Sequence, residues 1–264
     1  GLGMLIGLVV YLLGRRWLPA PAVAVLRSEA PATDIKHARL ALTSQEKKTT
    51  WLLLALVPVL AVGAVPNSEI FDGYLLWGRE HFQLHLLGYE MPVSDLISLD
   101  GFISTLCAVL VLWFWKAYAR RRPDLSEISK VTLGTFIGAF GPLMLASGSW
   151  ISPGPHEVSL FWGLAFHIIN DIGFSMSYAI GMALFSRAAP VSLNTILVAC
   201  FSLHLFLSNL LIGKLATLLG RISDVSFWLL HSGAAFVAAA ILGFCAVRFR
   251  AVLAPGKETA PPVP

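Results

Sequence analysis

The chain has 264 residues, 56% of them hydrophobic and only 13% charged, with a formal net charge of +4. A globular domain carries about 25% charged residues, so an ordinary soluble domain is excluded, and apolar runs of about 20 residues, enough to cross roughly 30 Å of hydrocarbon, make the lipid bilayer its solvent. No basic–aromatic surface pattern stands behind the positive charge, which excludes a nucleic-acid module.

In chain order, apolar runs between breakers predict an all-α polytopic membrane protein with one partial and six full spans. The partial span is GLGMLIGLVVYLLG, residues 1–14. It begins inside an apolar run without an initiator Met or charged leader, so it reads as the end of a truncated preceding helix and not as a signal peptide. Residues 15–49 carry seven Lys and Arg and read as a cytoplasmic linker able to touch anionic headgroups. Full spans are expected at 50–77, 101–119, 129–148, 159–186, 191–215 and 225–247, making a six-helix bundle over 50–247. A cytoplasmic tail, 248–264, ends in the disordered-looking APGKETAPPVP.

With GRRW on the cytoplasmic side, segments 15–49, 116–130, 187–190 and 248–264 hold 16 of the 19 Lys and Arg residues. By the positive-inside rule the C-terminus is then cytoplasmic, in a bacterial-type inner membrane. The external loop 78–100 bears His and carboxylate residues without metal-ligand spacing and reads as a packed surface loop. Cys107, Cys200 and Cys245 are odd in number and lie in apolar segments. They read as packing residues rather than a disulfide framework.

Ionisable side chains inside spans are rare and usually face a cavity or a bundle interior. Span 50–77 would be about 42 Å long if fully helical, and Pro58, Gly63, Pro66 and Gly73 let it bend. Asn67, Glu69 and Asp72 follow the second proline, which suits a moving, water-lined gate; the plainer reading puts Asp72 and Glu69 at the outer interface. In span 159–186, Asp171 lies near the midplane, where an Asp costs on the order of 2.5–3.5 kcal/mol. His167, Asp171, Phe174 and Tyr178 share one helix face, with Asn170 at its edge. A carboxyl neutral in one conformation and paired in another couples a proton to movement. The alternatives are a structural Asp–Asn knot or a pair with His167. A metal site from His167 and Asp171 needs further ligands, and no metal or cofactor is expected. In span 191–215, His204 and Asn209 read as helix-packing hydrogen bonders and Lys214 as snorkelling. His231 reads as interfacial. Gly134 with Gly138, and Ala234 with Ala238, permit close helix approach.

A six-span unit behind a basic linker suggests one half of a twelve-span transporter, with its site at mid-membrane. The ordered stretches GRRWLP, YLLW, LLGYEMP, SLDGFISTL, RRRPDLSEISKVTLG, NDIGFSMSYAIGMALFSRAAP and LHLFLSNLLIGKLATLL resemble the proton-dependent oligopeptide transporters of the major facilitator superfamily. The resemblance runs from the end of that family's sixth helix through its twelfth. It implies inward, proton-driven symport of di- and tripeptides. On that reading Glu69 and Asp171 serve proton coupling, while Asn67, His167, Asn170, Phe174, Tyr178 and Phe201 line the substrate pocket.

This sequence departs from the family at three places. Phe174 stands where the tenth helix commonly has a Glu, with Asp171 one turn earlier as its replacement. NSEIFDG stands where the seventh helix has a Glu or Asn followed by Gln-Gln-Gly, and Phe201 stands where the eleventh has a pocket Trp. The family's first-helix Glu and Arg motif would belong to a missing N-terminal helix bundle. With no Arg or Lys deep in these spans, Glu69 and Asp171 are expected to meet their cations there, and the chain alone is expected not to transport. The alternative solute is an amino acid or organic anion. A membrane-embedded enzyme has only His167 with Asp171 as a candidate pair and no HExxH or GxSxG motif. A receptor or scaffold has no signalling domain to support it.

Overall fold

A computed structural model of the protein describes residues 2–14, 42–86 and 88–253. It divides into two units, Gly1–Thr43 and Ser44–Pro264. The first holds helix α1 (Leu2–Gly14). The predicted linker from residue 15 to 41 and the tail from 254 onward lie outside the described residues.

The second unit is an assembly of long helices, the form in which a backbone satisfies itself in lipid. Helix α2 (Ser44–Gly63) starts inside the expected linker. Residues 44–49 are its first turns, because Gln45, Glu46, Lys47 and Lys48 are good helix formers. The hydroxyls of Thr49 and Thr50 also donate back to the carbonyls of Gln45 and Glu46. The chain then breaks at Ala64 and continues as α3 (Val65–Ser68), a 3-10 turn (Glu69–Phe71) and α4 (Gly73–His81). The bend across this break is 51°. Pro58 is absorbed within α2. Pro66 starts α3, where its missing N–H has no helical acceptor to lose.

A two-residue hairpin, β1 (His85–Leu86) with β2 (Tyr89–Glu90), turns at Gly88, whose φ of 83° glycine accepts freely. Beyond it, α5 runs from Asp95 to Ala119, so the last residues of the expected surface loop, including Asp100, are helical. Next come α6 (Glu127–Gly138) and α7 (Gly141–Ile151), together one candidate span, then α8 (Leu160–Ala188), α9 (Asn194–Leu215) and α10 (Asp224–Arg248). Ser126 and Ser223 cap α6 and α10 by accepting from the backbone N–H three residues on. A short α11 (Arg250–Leu253) ends the described chain. Among the described residues, five helical segments are long and apolar enough to cross a membrane, or six when the bent segment counts as one. The expected all-α architecture is met, with the small hairpin and an isolated Phe82–Val158 bridge as the strand pairing among the described residues.

Helix α8 is the axis of the unit, packed by α5, α6, α7 and α9. Against α6 the approach is made by glycines. A Cβ on Gly173 would lie 2.5 Å from the Gly138 nitrogen, and one on Gly134 would lie 2.7 Å from the Gly173 carbonyl oxygen. Two apolar clusters close the ends. One gathers Leu53, Leu56, Ile128, Phe185, Phe201 and Leu242 where α2 begins and α8 finishes. The other gathers Tyr74, Trp77, Phe82, Phe166 and Trp228 where α4 finishes and α8 begins. Phe102, Leu106, Val109, Leu112 and Trp113 stand exposed along α5, as a lipid-facing surface requires.

Candidate functional site

The break after α2 sets the site. Because the helix breaks at Ala64 and continues as short α3 and then a 3-10 turn, Glu69 is carried into the bundle and is fully buried. Its carboxylate has room because residue 73 is glycine: a Cβ there would lie 2.0 Å from Glu69 Oε1. Glu69 Oε2 lies 3.1 Å from His231 Nε2, and His231 Nδ1 donates to the Phe227 carbonyl over 2.8 Å. His231 is therefore not interfacial. It sits two turns inside α10, wholly buried, and is the hydrogen-bond partner of Glu69 within this chain.

A second network centres on α8. His167 and Asp171, one helical turn apart, point the same way, as the spacing predicts. Both ring nitrogens of His167 are engaged, Nδ1 with Asp100 Oδ1 at 2.9 Å and Nε2 with the Tyr74 hydroxyl at 3.0 Å. A neutral ring satisfies this arrangement when Nδ1–H donates to Asp100 and Tyr74 donates to Nε2. Asn170 donates through Nδ2 to Asn67 Oδ1 (3.1 Å) and to Asp171 Oδ1 (3.3 Å). Asp171 is 1% exposed, and its Oδ2 is buried without a hydrogen-bond partner. Thus Asn67, Asn170 and Asp171 form one cluster, and His167 faces Asp100 and Tyr74 rather than pairing with Asp171.

One donor atom each from Asp100, His167 and Asp171 lie within 4.8 Å of one another, the set among the described residues able to hold a metal ion. The ligand that His167 and Asp171 lacked is thus Asp100. With Nδ1 and Nε2 both bonded to protein groups, the hydrogen bonds already account for the histidine without an ion. Tyr74→Phe removes only the hydroxyl from this chain of bonds. It should cost about 1 kcal/mol, read as a lowered midpoint of thermal unfolding in detergent.

Further along α8, Phe174 stacks on Tyr178 with ring centroids 5.1 Å apart, and Tyr178 meets Phe201 at 5.6 Å. His204 joins this row, 4.4 Å from Phe201 between centroids, with its Nδ1 hydrogen-bonded to the Phe201 carbonyl. Phe174 and Tyr178 also line a pocket of about 530 Å³ between α5 and α8, with Ser104, Thr105, Trp115 and Lys130 among its walls. Lys130 was counted with the cytoplasmic basic residues. Here it lies in α6, paired with Asp124 at 2.7 Å and placed 4.9 Å from the Trp115 ring centroid. The expected pocket residues fall into three places: Asn67 with Asn170, His167 by itself in the buried network, and the aromatic row of Phe174, Tyr178 and Phe201.

Sequence reasoning missed Asp100, His231 and Tyr74. Asp100 had a readable signal. Leu96, Asp100, Ile103 and Cys107 follow spacings of four, three and four, and all are buried on one face of α5. Tyr74 and His231 had none beyond being polar residues in apolar surroundings.

No family model matches the chain. Among curated proteins it is 26% identical over 167 residues to dipeptide and tripeptide permease B of Aliivibrio fischeri (strain MJ11), covering 63% of this chain and 33% of that protein. It is also 26% identical over 117 residues to peptide transporter YePEPT of Yersinia enterocolitica, covering 44% and 23% respectively. Among solved structures, it superposes on the peptide transporter POT in complex with sulfate with a TM-score of 0.70 at 16% identity, over 93% of this chain and 51% of that one. A POT family transporter in complex with a thioalcohol-conjugated peptide gives a TM-score of 0.63 at 16% identity, over 93% and 54%. The chain spans a third or less of the curated relatives and about half of the solved transporters. In sequence and in fold this integral membrane chain is similar to peptide transporters of the POT family, over a stretch that fits the C-terminal half of such a transporter.

Proposed function

We propose that the chain is the six-helix half of a proton-coupled carrier that imports di- and tripeptides, and that it is not an enzyme. Asp171 carries the reading. It is a buried carboxyl with one unpartnered oxygen, close to the middle of α8 and one turn from the Phe174–Tyr178 wall of the pocket. Buried, it is stable as the neutral acid beside Asn170. Opened to the pocket, it can ionise and meet a peptide's ammonium group, while Phe174 and Tyr178 offer apolar faces to side chains. Glu69 is the second proton-coupling carboxyl, and Asn67, Asn170 and Phe201, which lie outside that pocket's wall in this structure, would join the substrate path when the helices rearrange. A proton moving inward supplies about 2.3 kcal/mol per 100 mV. The charge distribution supports an inner-membrane location with the linker at 15–49 and the C-terminus cytoplasmic.

A second reading, a proton-coupled carrier of an amino acid or organic anion, is favoured by Lys130 in the pocket wall. The test is uptake of labelled dialanine into proteoliposomes holding the chain within its full-length gene product, under an inward proton gradient. Uptake is expected, and Asp171→Asn should lower it by at least about tenfold, the factor carried by 1.4 kcal/mol. Equal uptake in both would reduce Asp171 to a packing residue. Uptake of a labelled amino acid or organic anion in place of dialanine would establish the second reading.

A further inference from the structure

We propose that Glu69 and His231 form one proton-holding site, in which a protonated Glu69 carboxyl donates through Oε2 to Nε2 of a neutral His231. The argument starts from the other ring nitrogen. His231 Nδ1 lies 2.8 Å from the Phe227 carbonyl oxygen, and a carbonyl only accepts, so Nδ1 carries a hydrogen. In a neutral ring Nε2 is then a bare lone pair. It lies 3.1 Å from Glu69 Oε2. Set against an ionised carboxylate, two acceptors would face each other, so a proton sits between them.

Two arrangements supply that proton: an imidazolium against a carboxylate, or an imidazole against a carboxylic acid. Both side chains are 0% exposed, so separated charges would give up all hydration. An anionic Glu69 would also leave Oε1 without a donor, since that atom is buried and unpartnered. In the neutral arrangement Oε1 is only a carbonyl oxygen, the kind of buried group most often left under-bonded. The neutral pair is the arrangement that the surroundings support.

Other titratable groups on this segment and on the helices packed against it have their own surroundings: Asp72 is half-buried, Arg187 pairs with Glu127, and Arg248 lies at the far end of α10. On α8, His167 is held by Asp100, and Asp171 accepts from Asn170. On α9, His204 is held by the Phe201 carbonyl, and Lys214 is exposed near the helix end. On α10, Asp224 pairs with His81. Among the described residues, Glu69 and His231 have no side-chain hydrogen-bond partner other than each other. Glu69 stands in the 3-10 turn just past the 51° bend, and His231 is on α10. A movement of the bent segment that parts them exposes the carboxyl to water and lets the proton go. Using the site in this way rests on the proton-coupled reading; the site itself does not.

The test is infrared spectroscopy of the whole chain in nanodiscs at about pH 8, where exposed carboxylates are ionised. The wild type should show protonated-carboxyl C=O absorption, sensitive to D2O; Asp171→Asn serves as the background, and in that background Glu69→Gln should remove the remaining band. His231→Gln, which keeps an accepting oxygen, should shift this band. An acid region unchanged by Glu69→Gln would overturn the proposal. If that variant does not fold, nitrogen-15 spectra of labelled histidine in the wild type decide. A neutral His231 protonated at Nδ1 supports the site, and a doubly protonated ring overturns it. The spectra read the proton whether or not a solute moves. The band without dialanine uptake would sink the transport reading and leave the site, while uptake without the band would overturn the site alone.

Discussion

Gly173→Ala should unseat α8 from α6. The added Cβ would stand 2.5 Å from the Gly138 nitrogen and 2.6 Å from the Gly134 carbonyl oxygen. These are backbone atoms, which have no rotamer to move into, so the two helices must separate. Overpacking a tight contact costs about 1–3 kcal/mol, and this site should fall at the top of that range. The thermal midpoint in detergent should then drop by roughly 6–12 °C. Gly213→Ala and Gly233→Ala are the controls, because a Cβ at either position meets nothing within 4 Å. They should hold the midpoint or raise it, since alanine is the better helix former. A Gly173→Ala midpoint equal to the controls would mean that the close glycine contact is not needed. The substitution should also impair uptake in the full-length gene product, because Asn170, Asp171 and Phe174 ride on the same helix.

Asp100 and His167 should behave as one unit. Both are buried, and their side chains lie 2.9 Å apart. Removing one partner strands the other, at about 1–3 kcal/mol for the neutral ring and more for the carboxylate. Asp100→Leu leaves His167 Nδ1–H with no acceptor, and His167→Leu leaves a buried carboxylate and the Tyr74 hydroxyl without their partner. The double variant removes both polar ends and should cost well below the sum of the singles, with a coupling of at least about 1 kcal/mol. Unfolding midpoints of the four proteins measure the cycle. Strict additivity would show that the two groups do not sense each other.

Much of the architecture was legible. The apolar runs placed six spans because a bilayer demands long helices and leaves few alternatives, and the bend in the span at 50–77 followed from its prolines and glycines. Asp171 could be singled out because a carboxylate at the centre of an apolar helix is conspicuous by itself. Its neighbours were harder. Asp100 precedes the first long apolar run, so hydropathy alone starts α5 after it although the helix begins at Asp95. His231 lies near the start of an apolar run, which by itself indicates an interfacial residue. Glu69 and His231 are 162 positions apart in sequence. Only folding brings such residues together, and helical periodicity records the face a residue lies on, not what the opposing helix presents.

The two sides of the bend are fastened by different kinds of force. Below it, α2 rests on Leu53, Leu56 and Leu60 among other aliphatic side chains, contacts that carry no directional bond. Above it, Asn67, Glu69 and Tyr74 are tied to Asn170, His231 and His167 by directional bonds, which must break outright before anything moves. The span thus pairs an end seated by shape with an end keyed by chemistry, so deleting a single polar atom should loosen the second and leave the first in place.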